Sequence, residues 1–275
     1  MLRASAILAR AAVPDLPDHS NWDQLLDERV HDGQLHPLEA ALARSLPGPR
    51  RATFVAGRTA IRTAMASLRE VPIPGDTPIL RTHRGAPLLP EAVTGSVTHK
   101  RTLAMAAVAP RSGTLQHIGL DLEARPTARD LERPSIARKI LTAAEFSWLE
   151  QFDHDPLHQR EQLLVHFALK EAVYKAIDPF VERYVRFTEV ELDLTHADNV
   201  RVTLHLPEPS VADIRVDAHW HTDSDWIVAM AYSHAGERRG SSAPAARARS
   251  RRPPARPPEW PAATASPTGR PIREC

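Results

Sequence analysis

The chain predicts an α+β protein of two lobes, each a long helix followed by a small antiparallel sheet. Apolar residues recur at helical spacing over 50–69 and again over 157–177. Behind each of these segments lies a series of short apolar or alternating runs. The turns between those runs are too short for crossover connections, so neighbouring strands pair antiparallel.

The first fifty residues mix proline, histidine and short apolar stretches, and predict only a partly wrapped N-terminal segment. Met1 to Val13 is broken by Arg3 and Arg10 and falls short of the roughly 20 apolar residues of a membrane span, so neither export nor insertion is expected. From Arg50 to Arg69, Phe54, Ile61, Met65 and Leu68 mark one helical face, ended by Val71-Pro72-Ile73-Pro74-Gly75. Arg58 falls on that inward face and Arg50 lies two turns back near the same side; a cation so placed wants an anion.

Ile79-Leu80, Gly95 to His99, Leu103 to Val108 and His117 to Leu122 read as short strands, with turns at Arg84-Gly85-Ala86-Pro87 and Pro110-Arg111-Ser112-Gly113. Thr142-Ala143-Ala144-Glu145 is a capping box that opens a helix through Phe146, Trp148 and Leu149. The longer helix over Leu157 to Ile177 is closed by Asp178-Pro179. Val190 to Leu194, Val200 to Leu206, Ile214 to His219 and Trp226 to Tyr232 alternate as strands of a second sheet. The seam at Pro110 to Gly113 divides the chain into lobes over 1–112 and 113–236.

From Arg238 onward nine arginines face two glutamates, a net +7, so the rest of the chain carries −6 within a total of +1. The proline content of this stretch, 237–275, suits neither helix nor sheet and predicts a disordered tail. It reads as a solvated extension without a role, the alternative being an electrostatic arm for acidic partners; no nucleic-acid partner is expected. The lone cysteine, Cys275, cannot bridge within the chain, which points to a reducing compartment and a cytoplasmic protein.

Asp121 and Glu123 stand one residue apart on a predicted strand, so both carboxylates project from one face. Two oxygen-donor acids on one face suit Mg²⁺, with Mn²⁺ as a substitute, although a bare D-x-E also describes an ordinary strand edge. Glu171 sits on the long helix amid Leu163, Leu164, Phe167 and Tyr174, while Val165, Leu169, Val173 and Ala176 line the other side. A helix apolar nearly all round is buried, and its Lys170, Glu171 and Lys175 need partners: a metal with a polyphosphate, or an internal Lys–Glu pair. His99 ends a strand beside Lys100 and Arg101. No Gly-rich phosphate loop or nucleophile elbow is present. A strand acid pair with a lysine also fits a metal-dependent nuclease or phosphohydrolase, but the position two residues after Glu123 is Arg125, followed by Pro126.

Gly95-Ser96-Val97-Thr98-His99, Gly119-Leu120-Asp121-Leu122-Glu123 and Phe167-Ala168-Leu169-Lys170-Glu171-Ala172-Val173-Tyr174-Lys175, in this order and spacing, resemble the larger class of 4′-phosphopantetheinyl transferases. The resemblance covers about 50–195. It implies a monomeric, pseudo-twofold α+β fold with the active site between its lobes. It also implies transfer of phosphopantetheine from coenzyme A to a serine of apo acyl or peptidyl carrier domains of siderophore, peptide or polyketide synthesis. On it, Asp121, Glu123 and Glu171 hold the metal, and Arg50, Arg58, Arg84, Thr98, His99, Lys170 and Lys175 contact the coenzyme, Arg50 and Arg58 at its 3′-phosphate. Glu171, Lys170 and Lys175 are the catalytic candidates, with the general base being Glu171, Lys170 or a water. Leu88-Leu89-Pro90 stands where the family often has Trp-Pro.

Overall fold

A computed structural model describes residues 6–15, 21–111, 113–195, 200–207 and 214–235. The protein is α+β: in each half of the chain, one long helix lies on a three-stranded antiparallel sheet. The first sheet has the order β1 (Ile7–Ala12), β3 (Leu103–Pro110), β2 (Val93–His99), and carries α3 (Gly48–Ala66). The second has the order β4 (Leu115–Ala124), β8 (Trp226–Ala235), β7 (Ile214–Thr222), and carries α6 (Pro156–Val181).

Sequence decides which strand is central. β3 and β8 have the longest buried apolar runs, because a middle strand is covered on both faces. In β3, Ala106 and Val108 meet Ile61 and Met65 of α3, while Met105 and Ala107 turn the other way onto Leu120, Leu122, Val228 and Met230. The two sheets therefore share one inner core, and each helix covers an outer face. β1 is tied to the second half by Arg10, whose Nη2 lies 3.4 Å from Asp223 Oδ2.

Several expectations are corrected. The N-terminal segment supplies β1 and two helices, α1 (Trp22–His31) and α2 (Pro37–Arg44). β1 is hard to see in the sequence because Arg10 breaks its apolar run. Ile79-Leu80 forms no strand: Ile79 N–H is taken by the Glu39 carboxylate and Leu80 O by the Arg58 guanidinium and Leu88 N–H. Asp178-Pro179 does not close α6, which runs on to Val181. So near the C-terminal end proline forfeits a single hydrogen bond, and buried Val181 and Val185 hold the extra turn on the core. The late strands do not make one sheet. β5 (Val190–Asp193) and β6 (Arg201–Leu204) form a separate pair, and β4 joins β8 and β7 instead. β3 ends at Pro110 and β4 begins at Leu115; Ser112 and the expected tail over 237–275 lie outside the described residues. Among the described residues no helix is long and apolar enough to cross a membrane.

The same buried ionic device occurs in both halves. Glu39 of α2 is fully buried; it accepts from Arg62 of α3 at 2.7 Å and from Ile79 N–H at 2.6 Å, and closes a capping box with His36. Glu145 of α5 (Ala143–Leu149) accepts from Lys170 of α6 at 2.6 Å and from Leu192 N–H at 2.8 Å, and closes the Thr142 box. In each half a short helix thus places a glutamate between the long helix and a later segment.

Burial sets an acid limit to this fold. His166 is buried against Trp148, and burial holds its pKa below the ordinary histidine range; half-buried His117, edge-on to Phe180, is pushed down to about 4. Both are neutral when folded but take a proton near the usual 6.5 when unfolded. Their contribution is therefore complete above that value and is lost as pH falls. Glu123 and Glu171, raised by burial, act in the opposite sense. The thermal midpoint is expected to fall between pH 7 and pH 5, and His117→Phe to fall less; equal falls in calorimetry would remove His117 from this account.

Candidate active site

The site forms where β4 meets α6. Leu120 and Leu122 point into the inner core, so Gly119, Asp121 and Glu123 face the helix. Gly119 is required there: a Cβ would stand 1.8 Å from Ala172 O and 2.9 Å from Ala176 N. Ala168, Ala172 and Ala176 give α6 a smooth stripe along the same approach. This contact lets Lys175 reach over the strand, donating to Leu120 O at 2.9 Å and Asp121 Oδ1 at 2.7 Å.

β2 runs along β4 at the junction of the halves. Thr98 Oγ1 donates to Asp121 Oδ1 at 3.1 Å and Lys100 Nζ to Glu123 Oε1 at 2.6 Å, so two residues spaced i, i+2 answer the acid pair. Asp121 Oδ2 is buried and has no partner. Burial pushes the carboxyls of Glu123 and Glu171 up, against the opposing pull of Lys100 and Lys175. Asp121 raises both, a like charge close enough to be felt. Desolvation, then Lys175 and Lys100, hold the pKa of His99 below its ordinary value. Beside Glu171 opens a narrow cleft lined by Tyr174, Tyr184, Val185 and Phe187.

Asp121, Glu123, Glu171, Lys175, Thr98 and His99 are thus assembled in one place, although no three His, Cys, Asp or Glu side chains among the described residues are poised to hold a metal ion as they stand. Lys175 and Lys100 each occupy one carboxylate oxygen of the acid pair. Two expected phosphate cations point elsewhere. Lys170 Nζ is fully buried and spends its three N–H groups on Glu145, Ile140 O and Phe187 O. Neighbours on the helix need not share a face, and 100° of rotation sends Lys170 inward under α5 while Glu171 faces the acids. Arg84 grips Asp178, with Nε 2.8 Å from Oδ2, and Tyr174 OH, which raises its pKa and fastens its turn to the end of α6. Lys170→Met would leave Glu145 buried and unpaired, and is expected to lower unfolding stability by about 3 to 5 kcal/mol; a denaturant midpoint like the parent's would contradict this.

Arg58 is buried on α3 as the pattern predicts, its guanidinium 4.5 Å from the Phe54 ring centre. One N–H group meets Leu80 O at 2.9 Å, but Nε is buried without a partner, and desolvation pushes its pKa down to about 10. Arg50 lies exposed near the start of α3. Arg125 pairs with Glu161 at 2.6 Å, which takes it away from the acid pair and from the nuclease arrangement. Sequence reasoning gave Glu145 a capping role alone and Lys100 none. The capping box marked the first, but nothing in it signals a second partner on α6. The i, i+2 spacing of Thr98 and Lys100 was the available signal for the second.

The family model described as the 4′-phosphopantetheinyl transferase N-terminal domain matches residues 38–109, and that of the 4′-phosphopantetheinyl transferase superfamily matches 117–231. The chain is 33% identical over 182 residues to the 4′-phosphopantetheinyl transferase Npt of Nocardia iowensis, covering 65% of this chain and 76% of the relative. It belongs to the 4′-phosphopantetheinyl transferase superfamily. The transferase Svp of Streptomyces mobaraensis is 32% identical over 186 residues, 66% of this chain and 71% of its own length. PptT of Mycobacterium tuberculosis is 29% identical over 156 residues, 57% of this chain and 63% of its own. The chain is an enzyme of this transferase type, in the larger class, and both matched segments contribute to the site: Thr98 and His99 come from the first, Asp121, Glu123, Glu171 and Lys175 from the second.

Proposed function

We propose that the protein transfers the 4′-phosphopantetheine group of coenzyme A to a serine hydroxyl of an apo carrier domain, releasing adenosine 3′,5′-bisphosphate. The observation that carries this reading is Lys175 of α6 reaching Asp121 of the acid pair across the Gly119 contact. The orphaned, buried Asp121 Oδ2 and an oxygen-only donor set fit Mg²⁺ or Mn²⁺ held by Asp121, Glu123 and Glu171. When bound, such an ion would neutralise charge on the pyrophosphate.

The chain's own residues supply the rest. The serine oxygen attacks the phosphorus bearing pantetheine, and the bond from that phosphorus to the bridging oxygen breaks, leaving the electron pair on the adenosine bisphosphate. Glu171 is assigned as the base that takes the serine proton. Lys175 offers its charge to the phosphoryl oxygens, and His99 donates a hydrogen bond at the same edge. Thr98 orients Asp121. Lys170 is assigned to positioning: anchored on Glu145, it fixes the helical turn that carries Glu171. Arg84 is likewise assigned to fastening α6.

Arg58, with the exposed Arg50 two turns earlier on α3, is assigned to the coenzyme's 3′-phosphate. Its buried, unpartnered Nε supports this. Arg58→Ala is then expected to lose the parent's preference for coenzyme A over the analogue lacking that phosphate; an unchanged ratio of kcat/KM values would return Arg58 to a structural role. The matching Glu39–Arg62 and Glu145–Lys170 devices support two lobes, 1–112 and 113–236, related by a pseudo-twofold axis, and a site completed within one monomer. We place the reaction in the cytoplasm, on carriers of siderophore, nonribosomal peptide or polyketide synthesis. Incubation with coenzyme A, Mg²⁺ and an apo carrier domain tests the activity: the carrier should gain one phosphopantetheine by mass, and no gain refutes the reading.

A further inference from the structure

We propose that Lys100 is a built-in counter-ion that holds the acid pair before metal arrives, and so couples metal binding to the arrival of the coenzyme's pyrophosphate. This rests on the transferase reading above. Glu123 is largely buried, with a side chain 12% exposed, and its close partner is Lys100 Nζ at 2.6 Å. Lys175 occupies the neighbouring acid, Asp121, at 2.7 Å. Each lysine takes one oxygen of the pair, and a divalent cation entering beside Asp121 Oδ2 meets both positive charges.

The two lysines differ in freedom. Lys175 is also anchored on Leu120 O and springs from the buried face of α6. Lys100 belongs to the turn between β2 and β3, its side chain is 36% exposed, and among the described residues its ammonium is bonded to Glu123 alone. It can therefore swing away on its flexible stem, provided another anion receives it. A pyrophosphate brought against the acids supplies that anion, so metal alone competes with Lys100 while metal with coenzyme does not. By linkage, each ligand then tightens the other by the same factor.

Mn²⁺ binding to the full chain, followed by electron paramagnetic resonance and corrected for Mn²⁺ held by free coenzyme A, tests this in the parent, Lys100→Met and Lys100→Arg proteins, each checked for fold by circular dichroism. The parent should bind Mn²⁺ about tenfold more tightly with coenzyme A present, the scale of one partly buried charge pair. Lys100→Met should bind Mn²⁺ alone about tenfold more tightly than the parent and show a smaller gain from coenzyme A. Lys100→Arg, which keeps the charge, should behave as the parent does. A folded Lys100→Met protein whose Mn²⁺ affinity without coenzyme is no tighter than the parent's overturns the proposal. A parent that binds no Mn²⁺ even with coenzyme A overturns the metal assignment itself, and this inference with it.

Discussion

Asp121→Ala is expected to lower kcat/KM about a thousandfold, about 4 kcal/mol of transition-state stabilisation, while leaving the protein folded. Asp121 is the point on which the site converges. Its Oδ1 receives Thr98 and Lys175, and its Oδ2 is buried and unspent. Removing the carboxylate leaves Lys175 without its acid and takes away the oxygen best placed for a cation. Stability suffers less, because Lys175 keeps Leu120 O and part of its exposure to water. Asp121→Asn retains the shape and the Thr98 contact but not the charge, and should lose nearly as much activity. Turnover of either variant within tenfold of the parent at saturating Mg²⁺ would remove Asp121 from the machinery.

Gly119→Ala is expected to destabilise the protein by about 3 kcal/mol, at the upper end of overpacking costs, and to depress transfer further in whatever remains folded. The added methyl carbon would sit 1.8 Å from Ala172 O, a helix carbonyl that no side-chain rotation can move aside. The helix must retreat from β4, and Lys175 retreats with it from Asp121. Since Gly119 carries no chemical group, a folded variant would report on distance alone: KM for coenzyme A and kcat should both change. A Gly119→Ala protein with the parent's urea midpoint would mean that β4 and α6 are not packed this closely.

Much of this was legible in the chain. The acids of β4 were paired by period-two alternation, the inward face of α3 was given by Phe54, Arg58 and Ile61, and Thr142 to Glu145 announced a helix start. These are local signals, carried by spacings of two to four residues. β1 and the β5–β6 pair were not legible. An arginine interrupts the first, and alternation in the second says which face is buried but not which strand lies beside it.

By itself, then, the sequence determined the α+β class, the family and the acids and lysines from which a site could be made. Tertiary structure alone decided which of those charges meet. Lys170 and Lys175 stand five residues apart on one helix and read alike as cations. One is fully buried on Glu145, the other crosses β4 to Asp121. The partner of a buried charge is fixed by which element packs over it, through contacts between residues distant in the chain. Local spacing can require that a partner exist, because an unpaired ion inside a protein costs several kcal/mol, but it cannot say which one.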